Sequence, residues 1–360
     1  MAVTPLYDLI KTLTEIPGPT GQEDRVHEWC ANHWSQFAEH VEITQVGNVV
    51  ARIGGEGPAL IVLAHGDELG LMVKSITEEG FLHIWPAGPD RRGKPAHWYN
   101  PVNSPVLVLA DNGDVDGQLV FASGHVIGGA SDKQHFEWND WFVDLGYSSR
   151  ADVEALGIHP GTRVVVNVPT RRLGDTIIGK AMDDRAPLAV ATALAERVDT
   201  TKIKYQLWVG STIQEENGLL GAASIPDVHP FSYAFALDVG LCGEVPGTQA
   251  INHPAKLRHG PIVVYQDSSA NYSARMCRAT VEAARSRGIP VQQAVFQNYG
   301  SDGAELIRRG IETVLLTMPT RYTHSPNEMV TEADCDACVD LLIAFLESEP
   351  LGPRWTPPTN

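Results

Sequence analysis

Ala59-Leu-Ile-Val-Leu-Ala-His-Gly-Asp-Glu68 joins two textures that together decide the fold. Six apolar residues without interruption read as a strand buried on both faces of a central sheet. Polar residues follow at once, with His65 and Asp67 at the carboxyl end of that strand. In open α/β sheets the functional crevice lies outside the carboxyl ends of the strands. Upstream, residues 6–13 and 23–37 read as helices, the second with Val26, Trp29, Cys30, His33 and Phe37 near one face. Residues 41–44 and 49–53 read as strands.

Downstream, from about residue 73 to 169, the pattern turns strand-rich, punctuated by Gly, Pro, Asn and Asp. Segments 81–85, 106–110, 118–122 and 163–168 read as short strands, with one helical stretch at 149–156. After Gly174 strands and helices alternate again. Helices are expected at 186–197, 273–287, 304–309 and 332–347, and a further one beginning at 218–223. Strands are expected at 205–210, 233–237, 291–296 and 313–316. This is an α/β pattern interrupted by a β insertion. Each α/β piece is too incomplete to fold alone. Residues 1–72 and 170–360 are therefore expected to form one discontinuous α/β domain, with 73–169 inserted as a small β-rich domain.

Composition excludes several classes. Of 360 residues, 43% are hydrophobic and 20% charged, which argues against disorder. Lys and Arg number 27 against 44 Asp and Glu, a formal charge of −17 that disfavours a general nucleic-acid binder. No apolar run approaches the roughly 18 residues of a membrane span, and the first residues carry no secretory signal pattern. Five cysteines, an odd count, read as a reduced, cytoplasmic chain. Cys335 and Cys338 fall within a helical pattern and read as buried helix cysteines.

Chemistry-bearing residues gather at strand ends. Asp183 and Asp184 precede the helix at 186–197, where acidic residues commonly cap; the alternative is a carboxylate that bridges two metals. Glu215 and Glu216 follow an apolar strand, and adjacent carboxylates repel unless something cationic compensates. Asp238 ends another apolar strand, and His324 follows the strand at 313–316. Each alone also reads as a cap or a solvated turn. Together they place two histidines and several carboxylates at the ends of at least four strands. Two divalent cations would bring +4 against −3 from Asp183, Glu216 and Asp238, leaving room for a hydroxide nucleophile. Nitrogen and oxygen donors suit zinc, cobalt or manganese.

These motifs resemble the M42 family of co-catalytic metallo-aminopeptidases, the group that includes the tetrahedral (TET) aminopeptidases. The resemblance is carried by Ala64-His-Gly-Asp-Glu-Leu-Gly-Leu-Met-Val73, Lys180-Ala-Met-Asp-Asp-Arg185, Thr212-Ile-Gln-Glu-Glu-Asn-Gly218, Ala236-Leu-Asp238 and Arg321-Tyr-Thr-His-Ser-Pro326. In the insert it is carried by Gly124-His-Val-Ile-Gly128, Phe142-Val-Asp-Leu-Gly146 and Leu156-Gly-Ile-His-Pro-Gly161. It implies a zinc-exopeptidase-like sheet flanked by helices, with the β-rich insert as dimerisation domain and dimers assembling into a homododecamer.

It also implies roles. Asp183 would bridge two metal ions, zinc first and cobalt or manganese as alternates. His65 and Asp238 would complete one site, and Glu216 and His324 the other. Glu215 would be the general base, Asp67 the partner of His65, and the Asp183–Asp184 peptide would be cis. Gly66 stands where many members carry Met, Pro187 and Asn217 also depart from the usual residue, and Trp98 lies in an unusual stretch of the insert. The activity implied is hydrolysis of N-terminal residues from short peptides. The alternatives are an amidase or deacylase of N-acylated amino acids, a glycoside hydrolase using paired carboxylates, and a non-catalytic peptide-binding scaffold. His125, His135, Trp138 and Trp141 in the insert read as interface and core aromatics or as a gate to a neighbouring site. Asp302, in Asn298-Tyr-Gly-Ser-Asp-Gly303, reads as a substrate-side residue or an ordinary turn.

Overall fold

The computed structural model describes residues 3–87, 101, 103–122, 125, 137–249 and 251–355. Trp98 and His135 lie outside the described residues, as does most of Gly124-His-Val-Ile-Gly128. Helices α1 (Leu6–Glu15) and α2 (Asp24–Trp34) precede strands β1 (His40–Ile43), β2 (Val49–Gly54) and β3 (Ala59–His65). Next come β4 (Leu71–Ile76), β5 (Leu82–Pro86), β6 (Pro105–Ala110), β7 (Gly113–Phe121), β8 (Trp141–Asp144), helix α3 (Arg150–Glu154) and β9 (Arg163–Val166). Strands β10 (Arg171–Leu173) and β11 (Thr176–Gly179) lead into helix α4 (Met182–Arg197). Strands β12 (Gln206–Thr212), β13 (Tyr233–Leu241) and β14 (Ile262–Gln266) follow, then helix α5 (Ala274–Ser286) and β15 (Gln292–Val295). Helix α6 (Gly303–Arg308), β16 (Glu312–Thr320), β17 (Glu328–Thr331) and helix α7 (Glu332–Leu346) close the fold.

Eight strands form one sheet in the order β1-β2-β12-β3-β13-β16-β14-β15. The four at its centre, β12, β3, β13 and β16, run parallel. Their continuous apolar runs are what a sheet covered on both faces requires. All seven residues of β3 are buried. Helix α4 lies across β3 and β13, with α1 and α7 beside it. It is buried from Met182 to Ala195, as a helix enclosed on all sides must be. Ile61, Leu63, Trp208, Ile225, Phe231 and Leu306 cover the opposite face. The architecture is α/β.

Strands β4-β5-β8-β7-β6-β9 close into an antiparallel barrel. Closure removes the exposed edges that short strands otherwise leave. Its interior is a separate cluster that includes Val73, Leu82, Ile84, Val106, Leu119, Trp141, Val143 and Val164. The remaining strands, β10-β11-β17, make a small sheet beneath the site. No helix among the described residues is long and apolar enough to cross a membrane.

Several local readings need correction. The helix expected from 218 is a 3-10 segment, Ala222–Asp227, containing Pro226. Gly218 at φ +106° and Leu219 at φ +64° break the chain before it. Helix α2 buries Val26, His27, Cys30 and Trp34. Val26 and Cys30 are buried as expected, and Trp29 and Phe37 pack half-buried against the same core, with Trp29 and His33 rings stacked 4.6 Å apart and Phe37 edge-on to His33. The reading missed His27 and Trp34, which are buried more deeply. Strands β4, β8, β10, β11, β14 and β17 carry too little alternation or length to stand out in sequence.

A candidate metal centre at the strand ends

The parallel strands bring their carboxyl ends to one edge of the sheet. His65 closes β3 opposite Thr212, the last residue of β12. Glu215 and Glu216 lie just beyond Thr212. Strand β13 pairs with β3 only as far as Ala236 opposite Leu63, two residues before Asp238. Such divergence of neighbouring strands opens the crevice in which α/β proteins place their sites. His324 sits in the turn between β16 and β17, and Asp183 and Asp184 open α4. The peptide between the two aspartates is cis. Ala181, Gln214, Tyr322 and His324 all have positive φ, half of the eight such non-glycine residues among those described. Backbone strain of this kind gathers where a site over-determines the chain.

Two clusters of donor atoms result. One atom each from His65, Asp183, Asp184 and Asp238 lies within 4.8 Å of the others, and the same holds for Asp183, Glu216 and His324. Asp183 is common to both. His65 Nε2 is 3.1 Å from Asp183 Oδ1, and His324 Nε2 is 3.4 Å from Asp183 Oδ2 and 3.5 Å from Glu216 Oε1. Glu215 belongs to neither cluster, and its Oε2 lies 3.9 Å from His65 Nε2.

Asp67 is fully buried and joins the end of β3 to the segment after β12. Its carboxylate is 3.3 Å from His65 Nδ1 and accepts hydrogen bonds from the backbone N–H of Glu215 (2.9 Å) and Glu216 (3.2 Å) and from the Thr20 hydroxyl (3.0 Å). One carboxylate, Glu328, escaped the sequence reading altogether. Asp184 entered it as a cap, as a possible metal-bridging carboxylate and as half of the cis peptide, and its Oδ2 accepts the His65 backbone N–H at 3.0 Å. Glu328 accepts the backbone N–H of Asp183 at 2.9 Å and of His324 at 2.7 Å. The only sequence signal for Glu328 is its place four residues after His324.

The electrostatics are those of crowded acids. Burial pushes the carboxyls of Asp184, Glu215 and Asp238 well above their ordinary range, and nearby carboxylates add to it. Glu216 rises to about 7 and Glu328 to about 8, for the same reasons. Burial alone would lower the two imidazoles. The carboxylates around them win instead, raising His65 well above its usual value and His324 to about 10. Asp183 goes the other way: hydrogen bonds from His324 and His65 overcome its burial and hold it below the ordinary carboxylate range. Without a cation the chain must answer this repulsion by keeping protons. Asp184 Oδ1 and Glu216 Oε1 are buried and accept no hydrogen bond. Unsatisfied buried acceptors beside imidazole nitrogens fit a divalent cation, and the nitrogen and oxygen donors suit zinc, cobalt or manganese.

Asp302 lies nearby, 2% exposed, with Oδ2 accepting from the Thr212 hydroxyl and Oδ1 accepting no hydrogen bond. In the barrel, Trp138 and Trp141 are buried with ring centroids 5.5 Å apart, while His125 is exposed. Cys335 and Cys338 are buried in α7.

Comparison with known proteins gives a consistent answer. The family model described as M42 glutamyl aminopeptidase matches residues 47–341. The lysyl aminopeptidase of Pyrococcus furiosus is 27% identical over 354 residues, covering 95% of this chain and 96% of that protein. The structure of a TET aminopeptidase from Thaumarchaeota archaeon SCGC AB-539-E09 superposes with a TM-score of 0.89 at 28% identity, over 95% of this chain and 96% of that one. The TET1 peptidase of Pyrococcus horikoshii, described as able to assemble into a tetrahedron or a large octahedral shell, gives a TM-score of 0.84 at 26% identity, over 95% of this chain and 99% of that one.

Proposed function

Because the chain belongs to the M42 aminopeptidase family, and so is a hydrolase acting on peptide bonds, we propose that it releases N-terminal residues from short peptides at a centre of two divalent cations. In this reading Asp183 is shared between the cations. His65 and Asp238 complete one position, Glu216 and His324 the other. The observation that carries it is the pair of donor clusters meeting at Asp183, with Glu215 3.9 Å from His65 and part of neither. Zinc is the first choice for both positions, cobalt or manganese the alternates.

When bound, such cations polarise the scissile carbonyl and lower the pKa of water. The remaining work falls to the chain. Glu215 takes a proton from the attacking water and returns it to the leaving amine. Its backbone N–H is fixed by Asp67, which also orients the His65 ring, so base and ligand share one anchor. An imidazole held in this way presents its other nitrogen to the cation.

The test is a panel of aminoacyl-anilides and their N-acetyl counterparts, given to chelator-stripped protein re-supplied with each metal. Cleavage of free-amine substrates alone, restored by metal, is the expected result. Cleavage of acylated substrates alone would make the protein a deacylase. Silence on both with metal bound would turn the search to longer peptides or a different amide, and no measurable metal uptake would favour a non-catalytic peptide-binding scaffold.

The assembly belongs to the same proposal. The inserted segment, residues 73–169, would be a dimerisation domain, and dimers would build a homododecamer, as the shells described for the Pyrococcus horikoshii TET1 peptidase suggest. Light scattering on the purified protein tests it. The five free cysteines support a reducing, cytoplasmic location.

A further inference from the structure

Glu328 is buried at 3% exposure, yet it belongs to neither donor cluster. Both of its oxygens are used: Oε2 accepts from the Asp183 N–H at 2.9 Å, and Oε1 from the His324 N–H at 2.7 Å. These two residues are 141 positions apart in sequence and come from separate connections. Neither N–H has a place in regular structure. Asp183 departs from helical geometry at φ −79° and ψ 101°, and His324 sits at φ +61°. Buried N–H groups must find acceptors, and one carboxylate serves both.

The backbone of Glu328 is tied to the same two connections. It lies opposite Gly179 in the β11–β17 pair, four residues before Asp183. Its neighbour Met329 exchanges two backbone hydrogen bonds with Arg321, at 2.9 and 3.0 Å, three residues before His324. The Thr323 hydroxyl adds a hydrogen bond to Asp183 Oδ2 at 3.0 Å. The Glu328 side chain thus joins one donor to another beyond the ends of the short β11–β17 pair and the Arg321–Met329 bridge.

We propose that Glu328 is a positioning residue that sets the spacing between Asp183 and His324, and so determines the affinity of the second cation position. This deepens the two-cation reading and rests on it. A residue that merely satisfies two N–H groups would alter melting temperature and leave cation affinity alone. A positioning residue would do the reverse.

The experiment is cation stoichiometry and Kd, read by elemental analysis and calorimetric titration with zinc, on the full chain. In Glu328→Gln an NH₂ replaces one acceptor and must face an N–H. The expected result is one ion per subunit held as in the wild type and a second weakened by about 10- to 100-fold, the cost usually seen when an outer partner of a metal ligand is lost. Catalysis should return at high zinc. Two ions held with wild-type affinity would overturn the role of Glu328 alone. Fewer than two ions in the wild type would overturn the two-cation reading and this proposal with it. If the Gln variant does not fold, Glu328→Asp decides: it keeps both acceptors on a shorter stem. Weaker second-ion binding at an unchanged melting temperature supports the role, and unchanged binding overturns it.

Discussion

The two halves of the proposed centre are built by different means. On one side His65 is the last residue of a fully buried strand, 2% exposed, with its ring held by an Asp67 that is itself 0% exposed. On the other side the His324 side chain is 29% exposed and rides on a turn at φ +61°. The first half inherits its rigidity from the parallel ladder that pins His65 opposite Thr212. The second has only the short β11–β17 pair and the Arg321–Met329 bridge beside it, and depends on side-chain carboxylates to tie its loops together. Strand ends place a ligand cheaply, whereas a loop ligand needs a holder. The expected consequence is one cation position that exchanges slowly and one that exchanges readily.

The largest effect should come from the residue between the halves. Glu215 is adjacent to Glu216 of the open half and 3.9 Å from His65 of the closed one. Glu215→Gln should lower turnover by about 10²- to 10⁴-fold, the usual worth of a general base, with both ions retained. Loss of an ion in that variant would make Glu215 a ligand and redraw both halves. Near-normal turnover would remove it from the role.

A smaller effect tests the contrast directly. Under graded chelation the ion nearest His324 should leave first, and His324→Ala should keep one ion per subunit. His65→Ala should disturb the closed half instead, and because Asp183 is shared either substitution should also weaken the remaining position to a lesser degree. Each loss should be at least the roughly tenfold that removing an outer partner costs. Simultaneous release of both ions from the wild type would break the comparison.

The contrast also explains what the sequence made legible. The closed half of the proposed centre was legible as a candidate because an apolar run ending in His65 is a local signal, and the same holds for Asp238 at the end of its own apolar run. The α/β pattern with its β insertion was readable for the same reason, since period and texture are local. What escaped is what depends on distant backbone. Glu328 works by accepting two N–H groups that only tertiary structure brings together. Asp184 looked like a cap or a metal-bridging carboxylate at a helix start, and its contact with the His65 N–H required the sheet and the helix to be placed first. The missed strands were short or interrupted, as in β4, whose register shifts between Val73 and Ser75. In α2 the reading found Val26 and Cys30 but missed Trp34 and His27, which turn further inward than Trp29 and His33.

That inward His27 sharpens the account of the closed half. Its ring lies beneath the His65 loop, Nδ1 2.7 Å from the Gly47 carbonyl and Nε2 3.0 Å from Ser211 Oγ. Burial pushes it down to about 4 from an ordinary 6.5. The folded state therefore favours neutral imidazole, while the unfolded chain protonates near 6.5. The associated stability is complete above that pH and is lost as pH falls through about 4, on the order of 3 kcal/mol in all. Denaturant melts across this window should show the wild type losing stability relative to His27→Gln. Parallel curves for the two proteins would show that the ring is not held neutral.

The smallest effect concerns why Gly66 follows His65. A Cβ at Gly66 would meet His27 Nε2 at 2.1 Å and Ser211 Oγ at 2.7 Å. The φ of Gly66 is not in the left-handed region, so space is the constraint and backbone freedom is not. Both obstacles are side-chain atoms, which can move, but only by loosening the packing under His65. Gly66→Met should cost about 1–3 kcal/mol, the usual penalty of overpacking, and should speed release of the closed-half ion. His27→Ala should relieve it, because the Met side chain would then take the volume the imidazole leaves. In a double-mutant cycle the pair should be more stable than the two single changes predict, by about 0.5–3 kcal/mol, as expected for residues in contact. Additive losses would mean that the strand ladder alone stiffens this half, with no contribution from the ring packed beneath it.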